Sequence, residues 1–462
     1  MSQITERKRY ELRAKYDSLE EDFEYWRGLT SKGLGLHTSQ IEALIGKDRG
    51  ALSNLCATLK SEVEGLDTMT STQVLTDAWS LEEMLLAAHC LWGFFREKLA
   101  QRLDEEVRPF LEVADDLAWG CYAPAMKAAN AKKEPPLVFL NGGWSPFMVP
   151  RGAQWNAEGV PGSLLVDGEF AGVMRSLPIP IIGVPYAQVT HLPDVIFVAH
   201  ETGHAIEGDF DLTELLADAI KKALAGSSRL SDWLAWMGEC FADAWAVANL
   251  GPAYVGALQD FLAPGHDKPG DSLYPPVTLR VRLARALLEK MDTDFGTDAV
   301  RLQTEWQQAG LNDSKHRHDE DLEKVVAALL DTEIKAFGGK TTKQLGGYGS
   351  SQHKESESAT IKALNGEAIQ GGDPRVLFSA LRSCYEHTPA TFNCPEVNPG
   401  KPTEVVRESL RARFLAKLKP TDTARSDRAS AGPIKVDLYT RLKEILDRRS
   451  PEGSRSKAAG SL

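Results

Sequence analysis

The segment Val195–Gly208, VIFVAHETGHAIEG, constrains this chain more than any other. It sets His200 and His204 four positions apart, with Glu201 directly after the first. On an α-helix, positions i and i+4 lie on one face a turn apart, so both imidazoles can reach one metal ion. Glu201 projects beside them, where a carboxylate can take a proton from a metal-activated water. Val195, Ile196, Phe197, Val198 and Ala199 precede the motif, which places the first turns of this helix in a core. Zinc is the expected ion, one per chain.

A third ligand has to come from elsewhere. An extended motif continuing along the same segment would need glycine at 207 and histidine or aspartate at 210, but Glu207 and Phe210 stand there. The stronger candidate lies in SDWLAWMGECFADAWAVANLGP, where Ser231 can begin a helix and Gly251–Pro252 can end it. Glu239 and Asp243 share a face of this helix among Trp236, Met237, Phe241, Ala242, Ala244 and Trp245. Two carboxylates on an apolar face are costly unless they bind something. Glu239 as a metal ligand with Asp243 as its supporting partner accounts for both; a pair satisfied by a buried Arg or Lys is the other reading.

With these residues named, the chain resembles the gluzincin zinc metallopeptidases. The Glu239–Asp243 stretch, ECFAD, is similar to the ExxAD helix of the Ste24/HtpX-type (M48-like) peptidases. Tyr274–Pro275–Pro276–Val277–Thr278–Leu279–Arg280 resembles that family's HPPxxxR segment, with tyrosine where the family has histidine. The resemblance covers about residues 178–285 and implies a soluble relative with a gluzincin-type zinc core. It implies that His200, His204 and Glu239 hold zinc, that Glu201 is the general base, and that Asp243 orients a ligand imidazole, that of His200. Tyr274 and Arg280 become the candidate catalytic donors to a developing oxyanion. Tyr274 also reads as an aromatic capping a Pro-Pro turn, and Arg280 as a salt bridge to the zinc helices. In this family an edge strand before the catalytic helix receives the substrate, and IPIIGVPYAQV stands in that place. The expected activity is zinc-dependent hydrolysis of peptide bonds, with a peptide or protein substrate. A zinc hydrolase of a non-peptide amide and a catalytically silent interaction protein are the rival readings.

The rest of the chain bounds these readings. Acidic groups outnumber basic ones, 65 to 53, for a formal charge of −12, which argues against a broad nucleic-acid surface. Six scattered cysteines form no CxxC pair and read as reduced thiols, so a cytoplasmic location is expected. The N-terminus is polar and charged, unlike a secretory signal. The longest apolar stretch, Met84–Phe95, falls short of the ~20 residues a membrane span needs.

The expected fold class is α+β and predominantly helical. Residues 1–133 read as a helical N-terminal region, with Ser80 to Glu83 as a capping box, and 134–311 as the zinc core with a small sheet. Strands are expected from the apolar run after Pro136, from GSLLVDGEF and from IPIIGVPYAQV. Residues 312–358 read as a charged, solvated segment holding His316 and His318, followed by a flexible Gly/Ser-rich loop. A helical C-terminal region over 359–446, with pieces at 359–390 and 402–418, precedes a disordered tail at 447–462.

Overall fold

The computed structural model describes residues 2–30, 34–47, 50–149, 179–311, 316–398, 401–418 and 438–447. As expected, it is predominantly helical with a small sheet. Four helices open the chain: α1 (Gln3–Leu29), α2 (Thr38–Ile45), α3 (Ala51–Gly65) and α4 (Ser71–Ala100). Leu12, Tyr16, Leu19, Phe23 and Trp26 of α1 recur at three- and four-residue steps and bury one face against α3 and α4. The capping box of α4 is Thr70 with Gln73, not Ser80 with Glu83. Val74, Ala78, Leu81 and Leu85 keep a buried stripe running past Ser80, so packing carries the helix through that point.

Helix α5 (Arg108–Ala128) leads into β1 (Leu137–Asn141), β2 (Phe147–Val149) and β3 (Ile181–Pro185). The sheet order is β1-β3-β2, with β1 parallel and β2 antiparallel to β3. Ile181–Pro185 is therefore the central strand, not the edge the sequence suggests. Both of its faces are buried, and its prolines sit at its ends, where Pro180 O still accepts from Leu137 N at 2.9 Å. The candidate strand GSLLVDGEF lies outside the described residues.

The strand alternation divides the molecule's interior. Leu137, Phe139, Ile179 and Ile181 face the core of α1–α4, while Val138, Leu140, Ile182 and Val184 face a second, larger core. Helix α5 belongs to that second core, from Val107 onward. The second core is completed by α6 (Val198–Asp209), α7 (Thr213–Ala223), α8 (Leu230–Ala235), α9 (Met237–Leu250), α10 (Pro252–Leu262), α11 (Val277–Met291), α12 (Gly296–Gln308) and α13 (Leu322–Asp331).

The segment expected to be a loop folds instead into α14 (Thr342–Gly346) and the start of α15 (Ser350–Leu364). Thr341 and Gln344 form a capping box there, and a Cβ on Gly346 would lie 2.2 Å from Ala248 O. That glycine marks close contact with α9, not looseness. The charged run before it is also only partly solvated: His318 is buried against Asp232 at 2.8 Å, and Asp321 accepts from Arg229 at 2.7 Å. After α16 (Pro374–His387), residues 401–407 form β5, paired antiparallel with β4 (Glu396–Asn398) where helix is expected. Helices α17 (Leu410–Lys417) and α18 (Leu438–Asp447) follow, and Leu438 and Leu442 return to the N-terminal core. Residues 448–462 lie outside the described residues. No helix of the described residues is long and apolar enough to cross a membrane.

A buried polar cluster ties the two cores. Arg102 pairs with Asp115 of α5 at 2.7 Å and donates from Nε to His37 Nε2 at 2.7 Å. His37 therefore carries its proton on Nδ1, which donates to Gln40 Oε1 at 2.6 Å, and Asp115 also accepts from Val138 N of β1. Burial together with the Arg102 charge holds the His37 imidazolium below its ordinary pKa of 6.5. For Asp115 burial acts upward, but Arg102 and His37 outweigh it and bring the carboxyl down to about 2. Both groups bind protons more tightly unfolded than folded, so stability is full above pH 6.5 and declines on acidification, first through His37 and then, below 3.8, through Asp115. Replacing His37 with Gln should flatten the fall of the urea-unfolding free energy as the pH drops below 6.5. Asp115→Ala should cost ~3–5 kcal/mol at neutral pH by leaving Arg102 buried without a counter-charge. A loss below 1 kcal/mol in that urea titration would contradict the tie.

Candidate metal centre

Two helices that cross at close range build the centre. A tight turn over Leu192–Phe197 delivers the chain into α6, whose Val198, Ala199, Thr202, Ala205 and Ile206 are buried. Gly203, between the two histidines, lies against α9: a Cβ there would meet Ala242 Cα at 2.8 Å and Trp245 Cβ at 3.0 Å. Only glycine lets the helices approach this closely. The approach brings Glu239, in the first turn of α9, opposite the imidazoles. His200 Nε2 lies 3.3 Å from Glu239 Oε2, and His204 Nε2 lies 3.4 Å from Glu239 Oε1. The three ligand atoms are all within 4.8 Å of one another.

The sequence suggests one helix from Ser231 to Leu250, but the chain forms α8 and α9 with a break at Trp236. The indole N–H of Trp236 donates to Asp271 O at 2.9 Å, joining the break to the loop that carries Tyr274.

Asp243 stands one turn beyond Glu239 and is almost fully buried. Its Oδ1 lies 2.9 Å from His200 Nδ1, so His200 is held through one nitrogen while the other faces Glu239. Arg280 grips the same carboxylate through two bonds, at 2.7 and 2.9 Å, and reaches Glu239 Oε2 at 3.3 Å. Both sequence readings of the carboxylate pair therefore meet here: a buried arginine does satisfy it, and the imidazoles converge on it as well. Tyr254, not singled out from the sequence, donates its hydroxyl to Asp243 Oδ1 at 2.6 Å and lies 3.1 Å from His200 Nδ1. Its signal was available: a single hydroxyl in the apolar stretch after Gly251–Pro252 needs a partner once buried.

Burial works against every charge in this group, and the neighbours decide the outcome. Arg280 and His200 hold the Asp243 carboxyl well below the usual range, and His200, His204 and Arg280 do the same for Glu239. Hydrogen bonds donated to Asp243 and Glu239 overcome burial at His200 and push its imidazolium up to about 10. At Glu201 burial, aided by the Glu239 charge, outweighs the His200, His204 and Arg280 charges, and the carboxyl pKa rises.

Glu201 lines a cleft of about 380 Å³ together with His200, Glu239 and Tyr274. Phe197, Leu258 and Phe261 form its apolar wall, also unforeseen from the sequence. Tyr274 is 43% exposed and lies over Arg280, with the guanidinium carbon 5.5 Å from the ring centre. The Asp271 carboxylate accepts from the backbone N–H of Leu273 and Tyr274, at 2.7 and 2.8 Å, which fixes the loop before α11. Arg280 is buried and committed to Asp243 and Glu239.

The donor set suits a divalent cation. Two imidazoles and a carboxylate are the N/O ligands that zinc takes in a three-ligand site. With neutral imidazoles, the three carboxylates Glu201, Glu239 and Asp243 face Arg280 as the one fixed cation, leaving a surplus of two negative charges at the site. No protein-family model, curated protein or solved structure matches this chain.

Purified protein should carry about one zinc per chain by elemental analysis, and His204→Ala or Glu239→Ala should lose most of it. Tyr254→Phe removes only the hydroxyl behind His200. In chelator competition it should weaken zinc binding by ~10–100-fold, as expected for a partner that orients a ligand. Unchanged affinity in Tyr254→Phe would leave Asp243 alone as the group that positions His200.

Proposed function

We propose that the protein is a zinc-dependent metallopeptidase of gluzincin type that hydrolyses peptide bonds. The observation that carries this reading is the placement of Glu201, a buried carboxylate with a raised pKa, in the same cleft as His200 and Glu239, on which His204 also converges. Zinc bound by those three residues would supply Lewis acidity, polarising a carbonyl and lowering the pKa of water toward ~7.

The chain's own groups supply the remainder. Glu201 takes a proton from the attacking water and returns it to the leaving amine, a task suited to a carboxylate whose pKa has moved toward neutrality. Asp243 and Tyr254 hold His200 in one tautomer and orientation. Arg280 acts through Asp243 and Glu239 as a positioning residue, since its guanidinium is engaged by both carboxylates. Tyr274 is the donor to the carbonyl oxygen as charge develops: the residue lines the cleft, and burial raises its pKa, which keeps the phenol protonated.

The sheet supports a peptide over a small amide. Strand β2 pairs with β3 along one edge, and among the described residues no strand pairs with the other. Ser145 and Pro146, just before β2, line the cleft. An extended substrate adding to β2 would thus run past Glu201, the role the sequence assigned to Ile179–Val189. The absence of disulfides among the six cysteines supports a reducing compartment such as the cytoplasm.

Glu201→Gln should retain zinc and melting temperature while peptide hydrolysis falls ~10²–10⁴-fold. Parental turnover in that variant would refute the mechanism. Tyr274→Phe should keep KM and lower kcat by ~10²–10³-fold in a zinc-loaded protein. A kinetically silent Tyr274→Phe would remove the phenol from the mechanism and leave the Tyr-Pro-Pro loop a structural element.

A further inference from the structure

A second cavity, about 500 Å³ against about 380 Å³ for the metal cleft, opens where α5, α14, α16 and α17 meet. It shares no lining residue with that cleft. Its charge runs against that of the whole chain. The protein carries a formal −12, yet the cavity is lined by four cations and two carboxylates, a net of +2.

The cations differ in what they are free to do. The Arg375 guanidinium pairs with Asp373 at 2.6 Å and donates to Gly346 O at 2.6 Å and Asn249 Oδ1 at 3.2 Å, so it is fully engaged. Asp373 also caps α16 by accepting from Arg375 N at 2.9 Å, so the helix terminus contributes little. Lys127, Lys340 and Lys417 are exposed, and their ammonium groups have neither an ion pair nor a hydrogen bond among the described residues. Three ammonium groups from three separate elements thus border one cavity, with Trp119 on its wall and the buried Asp116 the one carboxylate not paired with Arg375.

Cations gathered without counter-charges repel one another, and an anion between them relieves the repulsion. Lysine offers a compact point charge with rotatable donors, which suits a phosphate group approached from several sides. Planar carboxylates favour the arginine fork, and here that fork is occupied. We propose that this cavity is a binding site for a small phosphate-bearing polyanion, held chiefly by Lys127, Lys340 and Lys417.

Calorimetric titration of the zinc-loaded full chain with pyrophosphate tests the site. One binding event per chain is expected, weakened severalfold between 50 and 200 mM salt as screening increases. The triple variant Lys127→Gln, Lys340→Gln, Lys417→Gln should weaken it at least tenfold with an unchanged melting temperature. Citrate, a carboxylate polyanion, should bind at least tenfold more weakly than pyrophosphate. In a His204→Ala background pyrophosphate binding should persist, which separates this cavity from capture by zinc. Absence of saturable binding, parental affinity in the triple variant, loss of binding in His204→Ala, or citrate binding as tight as pyrophosphate would each overturn the proposal.

Discussion

One carboxylate, that of Asp243, holds the centre together. It accepts two bonds from Arg280 of α11 and one from Tyr254 of α10, and it lies against His200 of α6. Four helices therefore converge on two oxygen atoms. Taking Arg280 out of water without that partner would cost several kcal/mol, so the position of α11 and the charge state of Asp243 are set together. The loop carrying Tyr274 enters α11 directly, which makes the cleft wall dependent on the same contact. His200, His204 and Glu239, the group able to hold a metal ion, are the outer layer of this arrangement.

The N-terminal half is coupled to that arrangement through the sheet. Alternate residues of β1 and β3 face opposite cores, so neither core can shift without moving the strands that bound the other. The Arg102–Asp115 pair reinforces the joint, because Asp115 binds both the arginine after α4 and the backbone of β1. The first helices thus reach the cleft mechanically: β2, which directly follows the cleft residues Ser145 and Pro146, is held by β3, and β3 contributes Ile181 to the N-terminal core.

Where the chemistry is local in the chain, the sequence could be read directly. Spacing alone placed His200 and His204 on one helical face with Glu201 beside them, and the apolar surroundings of Glu239 and Asp243 singled out that pair. What depended on long-range contacts was misread. Glycines near 346 looked like slack, yet Gly346 is small because α14 presses on Ala248. The Ile181–Pro185 run looked like an edge because of its prolines, but those fall at the strand ends, leaving the residues between free to pair on both sides. Tyr254 was silent because its partner is a carboxylate on another helix, and no local period encodes such a contact.

The roles of Tyr274 and Arg280 separate for the same reason. From the sequence the two are equivalent candidates to donate to a developing oxyanion, six positions apart on one segment. Folding places them in different dielectric surroundings. Arg280 is drawn into the interior, where an unpaired guanidinium is prohibitively costly, and two carboxylates bind it permanently. Tyr274 stays near the surface, where a neutral phenol needs no fixed partner and remains available when charge appears. A group that is charged at all times must be satisfied at all times, whereas a neutral donor can wait. The stronger cation therefore stabilises the site, and the neutral donor is the one left partly exposed at the cleft.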